Sequence, residues 1–340
     1  MKYLFQECKK LIKLVVVITC YILCPLIVQA IDIVQVELDE KVIVQAAWGH
    51  GKGQIGEVAG RLETTPGESI NPISVDSKGN IYVGDSVNYR VQKYDLNGNI
   101  RYEIDLKKYD EWPYKNIPDI SVDEHDNVYV VLLRKQQIVK YGKEGNLIKV
   151  IDLSKAGVLE KNSNGTMKIK EKGFFGIKRV IVDKNGNIYV LGSEDNVLKL
   201  DSNGAIIQRW GPYASNAINF IFIDSLNTLY IWMPPKQDGS MFKRYDMSGK
   251  ILGSGLGMYD QIIEPFYYDS NGNVYGFTTF TDNVLAIYNH KHKRLYKLPI
   301  KQESLAFERW TVDSGGNIYY TRESGQFEVR KLSMPIGKKE

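Results

Sequence analysis

The sequence predicts an all-β fold made of six copies of one four-stranded antiparallel unit, and three observations predict it. First, a strand, an Asp-x-x-Gly-Asn turn and a second strand recur six times, with the aspartates at positions 76, 123, 183, 224, 269 and 313. Second, a turn of Asn-Gly or Ser-Gly type follows most copies. Third, the 30 glycines suit tight turns and the 22 tyrosines suit strands. Units of about 45 residues are typical of β-propeller blades, so we predict six blades in one closed ring.

The first thirty residues form a targeting segment. A basic stretch precedes an almost purely apolar run at 14–28, and Val28-Gln29-Ala30 places small residues at the usual cleavage positions. This order is typical of a secretory signal peptide. An uncleaved membrane anchor is the alternative, because the apolar run is near the lower length limit for a membrane span. We therefore expect an extracytoplasmic protein, either secreted or anchored to the membrane by this segment alone.

The charge and cysteine content of the rest of the chain exclude several classes. The targeting segment holds +3 of the formal net charge of +4, so residues 31–340 lack the basic footprint of a nucleic-acid-binding protein. All three cysteines (Cys8, Cys20 and Cys24) also lie in that segment. The body therefore has no disulfide, thiolate zinc site or cysteine nucleophile. We expect residues 31–340 to form one domain and to be a monomer.

Each copy begins with the same hairpin. In the first copy, Ile73–Val75 is a strand, residues 76–80 form the turn and residues 81–83 begin the next strand. We expect the turn aspartate to accept hydrogen bonds from nearby backbone N–H groups and the glycine position to need a positive φ. Copies two and four carry Asp126 and Asn227 at that position, and these residue types tolerate such a conformation best after glycine.

The two ends of the repeat array predict how the ring closes. The sixth copy stops after three strands at Leu332, and an unattached alternating strand at 42–48 precedes the first copy. We predict that residues 42–48 supply the missing outer strand of the last blade, because this closes the ring without an exposed strand edge. Residues 31–38 also alternate, but the sequence assigns them no partner.

A longer string in the first copy resembles the NHL repeat. It runs V-G-D-S-V-N-Y-R-V-Q from Val83 to Gln92, and later copies depart from it. As a repeat pattern, the resemblance to bacterial, exported six-bladed NHL-type propellers covers roughly residues 42–332. Such relatives include RNA-binding propellers, extracellular sensor domains, the peptide-amidating lyase and, more remotely, gluconolactonase-like enzymes. The fold alone does not choose among these functions.

The blade pattern separates two faces of the predicted ring. The turns between strands one and two and between strands three and four are short and define a short-turn face. The other connections are longer and define a long-loop face, where binding residues concentrate. We expect a protein, peptide or glycan ligand there, although each aromatic side chain has the alternative of packing beneath its own loop. The candidate binding residues are Trp112, Tyr114, Arg134, Tyr213, Trp232, Phe277, Phe280 and Arg322.

The longest connection is an insertion at 154–173 between the second and third copies. It is rich in Lys, Asn and Gly, which is typical of a solvated surface loop. A lid and a partner contact are the alternatives.

Patterns for metal binding and catalysis are weak in this sequence. His290 and His292 form an H-x-H pair in a hairpin turn, but a catalytic zinc needs three protein ligands. The resemblance to the amidating lyase implies several zinc-binding histidines around the channel, and no matching set is present. The strings at Asp183 and Asp269 are similar to calcium loops but have no glutamate placed to complete the site.

The main functional prediction is an exported, non-enzymatic binding, sensing or scaffold module. The alternative is a metal-dependent hydrolase or lyase, gluconolactonase-like or amidating-lyase-like, with carboxylates at the central channel. We assign no catalytic residue, metal ligand or cofactor, and a divalent metal in the channel belongs to the alternative. The carboxylates within reach of the channel mouth would be Asp85, Glu194, Asp195 and Asp282.

Overall fold

Six blades of four antiparallel strands each are arranged around a central channel, as the repeated hairpins predict. The computed structural model describes residues 32–35, 39–57, 71–109, 116–161, 167–170, 176–192, 196–210, 220–223, 228–232, 242–246, 248–255, 264–268, 273–278, 284–289, 294–298, 309–323 and 325–333. The targeting segment lies outside these residues. Within them, no helix has the length and apolar character needed to span a membrane.

The first three blades contain β3 to β10 and β13 to β16. Two strands precede them, β1 (Asp32–Gln35) and β2 (Asp39–Ala46). Blade one is β3 (Ile73–Val75), β4 (Ile81–Asp85), β5 (Arg90–Tyr94) and β6 (Ile100–Asp105), followed by a 3₁₀ helix at Lys107–Tyr109. Blade two is β7 (Ile120–Val122), β8 (Val128–Leu132), β9 (Gln137–Tyr141) and β10 (Leu147–Asp152). A hairpin of β11 (Val158–Lys161) and β12 (Met167–Lys170) follows, and then blade three, which is β13 (Arg179–Val182), β14 (Ile188–Leu191), β15 (Val197–Leu200) and β16 (Ile206–Trp210).

The last three blades repeat this order. Blade four is β17 (Phe220–Ile223), β18 (Leu229–Trp232), β19 (Phe242–Tyr245) and β20 (Ile251–Gly255). Blade five is β21 (Glu264–Tyr268), β22 (Asn273–Thr278), β23 (Val284–Asn289) and β24 (Arg294–Lys297). Blade six is β25 (Trp310–Val312), β26 (Ile318–Glu323) and β27 (Phe327–Ser333), with β2 as its fourth strand.

The innermost strand of each blade faces the channel. These strands are β3, β7, β13, β17, β21 and β25, and together they line a cavity of about 260 Å³. The strands behind them form the core, and every residue of β4, β8 and β14 is buried. Apolar clusters join blade one to two, two to three, three to four, five to six, and six back to one. Burial between neighbouring blades therefore holds the ring together.

The turn chemistry of the repeat is confirmed where the structure describes it. Asp76 Oδ1 accepts hydrogen bonds from the backbone N–H groups of Lys78 at 3.0 Å and Asn80 at 2.8 Å. Gly79 has a φ of 80° and Asp126 a φ of 62°. The corresponding positions of copies four and five, including Asn227, lie outside the described residues.

The predicted ring closure is also confirmed, with a shift in its bounds. Strand β2 pairs antiparallel with β27, so that Asp39 lies opposite Ser333 and Ala46 lies opposite Phe327. The closing strand is thus Asp39–Ala46 rather than 42–48, and Trp48 instead forms an isolated bridge with Ile55. Strand β1, which the sequence left without a partner, adds a fifth, parallel strand to blade five beside β24.

The insertion at 154–173 contains a β-hairpin. Strands β11 and β12 pair antiparallel within it, with Val158 opposite Lys170 and Lys161 opposite Met167. Whether the insertion is a solvated surface segment, as predicted, or the alternative lid or partner contact stays a prediction.

Candidate functional site

One position of the repeat lies at the mouth of the channel on the long-loop face in all six blades. This position lies four residues before each turn aspartate, at the start of each innermost strand. Because the Asp turns end these strands on the short-turn face, the starts of the strands lie on the opposite face. In blade order, the six residues are Pro72, Asp119, Arg179, Phe220, Pro265 and Arg309. Three of the six positions therefore carry a formal charge.

Asp119 joins blades two and three at this mouth. Its Oδ2 accepts a hydrogen bond from the backbone N–H of Val180 at 2.9 Å. Burial raises the pKa of Asp119, and the opposing charges of Arg179 and Arg309 and the backbone N–H groups of Val180 and Ile120 act against that rise. The carboxylate lines the cavity and lies in the electrostatic field of both arginines.

The two arginines belong to blades on opposite sides of the ring, three and six. Burial lowers the pKa of Arg179, and the Asp119 carboxylate opposes this shift. Burial and the like charge of Arg179 lower the pKa of Arg309 to about 10, which still leaves the guanidinium charged at neutral pH. With one carboxylate for two guanidinium groups, the mouth cluster of Asp119, Arg179 and Arg309 has a formal charge of +1.

Two buried hydrogen-bond donors near the mouth have no acceptor among the described residues. Within the described part of the chain, Arg309 Nε and Trp310 Nε1 are buried without a hydrogen-bond partner. Trp310 lines the cavity, and its ring stacks on Tyr320 with the centroids 4.5 Å apart. A buried N–H without a partner costs free energy, so this end of the channel has two donors whose acceptors do not come from the described residues.

The walls of the channel are chemically divided. The middle residue of the innermost strand, two before each turn aspartate, has a hydroxyl in the contiguous blades six, one and two: Thr311, Ser74 and Ser121. In blades three, four and five the same position is apolar or aromatic: Ile181, Phe222 and Tyr267. The cavity therefore has a polar wall of small hydroxyl side chains and, facing it, a largely apolar wall on which the Tyr267 ring carries a hydroxyl.

The opposite end of the channel uses one repeated contact set. In blade two, Tyr129 donates its hydroxyl hydrogen to Asp123 Oδ2 at 3.1 Å, and Lys140 Nζ lies 3.4 Å from the same oxygen. The ammonium of Lys140 also stands 4.8 Å above the centre of the Tyr129 ring. Blades one, three and six also place a lysine over the equivalent tyrosine. This set fixes the turns and leaves their side chains occupied.

The prediction for Asp85 as a channel carboxylate is wrong. Asp85 is fully buried within blade one, and its oxygens accept hydrogen bonds from Gly56 N at 3.1 Å, Asn88 Nδ2 at 2.7 Å and Arg90 Nε at 3.0 Å. The string that resembles an NHL repeat thus ties the segment before blade one to the blade. Arg90 adds hydrogen bonds to backbone carbonyls of that segment, including Gln54 O at 2.6 Å. The other proposed carboxylates, Glu194, Asp195 and Asp282, lie outside the described residues.

Four of the eight predicted binding residues can be located. Arg134 is exposed in the turn between β8 and β9, Trp232 ends β18, and Arg322 lies in β26 opposite Glu328. Phe277 is 7% exposed and packs against Phe266, with ring centroids 5.5 Å apart, and against Trp310 at 5.3 Å. Its position is that of a core residue directly behind the cavity wall. Those outside the described residues are Trp112, Tyr114, Tyr213 and Phe280. A ligand-binding role for the eight stays a prediction.

Sequence reasoning missed the mouth cluster. The sequence did contain a signal for it, because charged residues occupy a repeat position at the start of the innermost strands that is apolar in the other blades.

The part of the chain that the structure describes contains no group of three or more His, Cys, Asp or Glu side chains placed to hold a metal ion.

Comparisons with known proteins support the fold and leave the family open. No protein-family model matches the chain, and no curated protein matches it in sequence. Among solved structures, a streptogramin B lyase matches with a TM-score of 0.50 and 12% identity, over 80% of this chain and 95% of the lyase. A catalytically inactive variant of virginiamycin B lyase from Staphylococcus aureus, solved with quinupristin, matches with a TM-score of 0.50 and 12% identity over 87% of this chain and 99% of its own. The selenomethionine-substituted form of that lyase gives a TM-score of 0.51 and 13% identity over the same shares. At such identities the likeness shows the propeller fold alone.

Proposed function

We propose that this protein is an exported binding module that takes its ligand into the central channel from the long-loop face. The observation that carries the proposal is the mouth cluster, in which Asp119 and Arg179 line a cavity of about 260 Å³ and Arg309 lies within electrostatic range of both. Cavities with a few convergent polar groups are the usual places for ligands. The ligand that the long-loop face suits is a protein, peptide or glycan group that enters the mouth.

Apart from the hydrogen bond that Asp119 accepts from Val180 N, the described part of the fold gives no reason for these charges. Blades one, four and five have Pro72, Phe220 and Pro265 at the same position and form the same strands. Burying charged groups costs free energy unless they are paired and hydrogen-bonded. Residues that a fold does not need, and that cost stability, are those expected at a functional site.

A lyase is the second candidate, and two observations favour it. The three solved structures compared above are lyases that share the propeller fold. Moreover, Asp119 combines a raised pKa with a position in a cavity, which is what a general base for proton abstraction requires. In this alternative the two arginines would stabilise the negative charge that develops on the substrate.

Peptide and glycan arrays, with purified residues 31–340 as the probe, test the binding proposal. We expect captured ligands to be lost by an Asp119→Asn/Arg309→Met double variant and kept by Arg101→Met. Arg101 is a matched control because its side chain is 63% exposed on β6 and pairs with Asp95 on the surface. Capture that is unchanged in the double variant would place the ligand elsewhere on the molecule.

Incubation with quinupristin, followed by mass spectrometry, tests the lyase alternative. Conversion that stops in the Asp119→Asn variant would establish an enzyme and overturn the binding module as the main function. Recovery of unchanged quinupristin, together with array ligands that depend on the mouth cluster, supports the binding module.

A further inference from the structure

The net positive charge of the mouth cluster favours binding of an anion. Arg309 and Arg179 act on each other as like charges, and among the described residues Asp119 is the acidic group whose charge acts on both. Since the cluster has a formal charge of +1, a single carboxylate bound between the arginines would neutralise it. Charge-assisted hydrogen bonds from a guanidinium to a carboxylate are about twice as strong as those between neutral groups.

The unpartnered donors point to the same chemistry. Arg309 Nε and Trp310 Nε1 are both N–H donors, and neither has an acceptor among the described residues. Both atoms are buried, so a ligand reaches them only if a side chain moves, and it must then bring acceptor oxygens and no donors at that point. A carboxylate does so in either orientation, whereas an ammonium or a guanidinium group does not.

The size and the walls of the cavity restrict the rest of the ligand. A volume of about 260 Å³ is near the lower end for small-molecule sites, so the channel holds one small group rather than a folded segment. Below the mouth, the apolar wall offers Ile181, Phe222 and Tyr267 to an apolar group, and the opposite wall offers the hydroxyls of Ser74, Ser121 and Thr311. A plain inorganic anion would leave the apolar wall without a partner.

We propose that the channel selects an amphipathic carboxylate, with the acid group at Arg179 and Arg309, an apolar side group on the wall of blades three to five, and polar atoms on the wall of blades six, one and two. This inference rests on the proposed function and adds the class of ligand. Two sources supply that chemistry, a free small carboxylic acid and the C-terminal residue of a peptide.

Paired probes that differ only in charge test the proposal by titration calorimetry on residues 31–340. The probes are N-acetylphenylalanine, indole-3-acetate and octanoate, each beside its neutral amide, together with inorganic phosphate. We expect at least one carboxylate to bind about tenfold or more tightly than its amide, which corresponds to about 1.4 kcal/mol. Phosphate is expected to bind more weakly than that carboxylate, because it makes no use of the apolar wall.

Variants then locate the bound acid. The Arg309→Met variant should lose tenfold or more in affinity for the carboxylate with no effect on its amide, Arg309→Lys should recover part of the loss, and Arg101→Met should bind as the unaltered chain does. A pentapeptide that ends in phenylalanine, with a free or an amidated C-terminus, distinguishes the sources. Binding of the free-acid peptide at least as tight as that of N-acetylphenylalanine identifies a peptide C-terminus, and exclusion of the peptide identifies a small molecule.

Three results would overturn the inference: no binding by any of the carboxylates, equal binding by acid and amide, or phosphate binding as tight as the best carboxylate. Its failure is distinct from failure of the proposed function. If neutral peptides or glycans on the arrays depend on Asp119 and Arg309 while the carboxylates do not bind, the channel is a ligand site for another chemical class.

Discussion

The two ends of the channel are built from the same six strands but follow opposite rules. At the short-turn end, each described blade repeats an aspartate, and four blades place a lysine over a tyrosine. At the mouth, the six equivalent positions carry four residue types. At the short-turn end, the backbone of each described copy is bonded to the aspartate side chain. At the mouth, Asp119 accepts a hydrogen bond from Val180 N, and the equivalent positions of the other blades carry residues of other types.

Hydrogen bonds account for this difference. The turn aspartate binds backbone N–H groups through its side chain in every described copy, for example at 2.9 Å from Asn185 N to Asp183 Oδ1. At the mouth, the strands are joined through main-chain atoms, such as Val131 N to Asp119 O at 3.1 Å and Thr321 N to Arg309 O at 3.0 Å. Any side chain permits those bonds, so the mouth can change without loss of the blade.

The largest expected effect on stability comes from removing β2, the strand that closes the ring. Deletion of residues 31–46 removes β2 and exposes the apolar edge of β27, so we expect loss of cooperative unfolding or formation of oligomers. Circular dichroism melting and light scattering measure this. Deletion of residues 31–35 is the control, because it removes only the fifth strand of blade five and should lower the Tm slightly. A stable monomer without residues 31–46 would show that closure does not need β2.

Next in size is the loss of a turn aspartate. Asp123→Ala removes the acceptor for His125 N, Asn127 N and Tyr129 OH, and leaves the ion-pair partner Lys140 alone. We expect a loss of about 2–4 kcal/mol in the free energy of unfolding, measured by urea denaturation. Asp119→Ala at the mouth should cost less, since fewer donors depend on that carboxylate. An equal cost at both ends would contradict the comparison.

The same residue gives a pH prediction. Burial opposes ionisation of Asp123, but hydrogen bonds from Asn127 and His125 and the charge of Lys140 outweigh it and lower its pKa. A depressed pKa means that the ionised group stabilises the fold above the ordinary range near pH 4, and that this stabilisation is lost as pH falls below it. The stability difference between the unaltered chain and Asp123→Asn should therefore be larger at pH 7 than at pH 3. A difference independent of pH would argue against the charged network.

A smaller effect is expected for the lysine of the same set. Lys140→Met keeps most of the aliphatic stem and removes both the ion pair with Asp123 and the charge above the Tyr129 ring. We expect a loss of about 1 kcal/mol in urea denaturation, and less at high salt. Lys78→Met, on an exposed turn position, serves as the control and should be neutral.

The smallest effect on stability should come from the mouth. Arg309→Met removes a buried cation whose Nε has no partner among the described residues and which is repelled by Arg179. We expect the free energy of unfolding to stay within about 1 kcal/mol of the original, with any change toward greater stability. A loss of more than about 2 kcal/mol would mean that Arg309 is part of the scaffold, as Asp123 is.

The parts of the fold that depend on local backbone geometry were predictable from the sequence. The positive φ at Gly79 and Asp126 follows from residue type, and so does capping by Asp76. Ring closure was predictable because a blade of three strands needs a fourth. Its bounds were not, because Trp48 alternates like a strand residue but leaves the sheet to meet Ile55.

The site was less predictable because it is assembled across the ring. Asp119, Arg179 and Arg309 are distant in sequence, and only the superposition of equivalent repeat positions brings them together. The prediction for Asp85 was wrong for a related reason. The sequence shows a carboxylate after a strand but not that Gly56, from a separate segment, donates to it. Likewise, nothing local to β1 indicates a parallel partner at β24.

The closing strand has a consequence for the timing of synthesis. Glu40 of β2 contacts Tyr320 of β26, and the two residues are 280 positions apart in sequence. Strand β2 is therefore translated long before the other three strands of blade six. At roughly 5–20 residues per second, that interval lasts roughly 15–60 s. During it, the apolar side chains of Ile43, Val44 and Ala46 have no sheet to join. A nascent chain stalled before β27 should therefore engage chaperones through this strand, and a circular permutant that places residues 39–57 after β27 should fold faster with the same final ring.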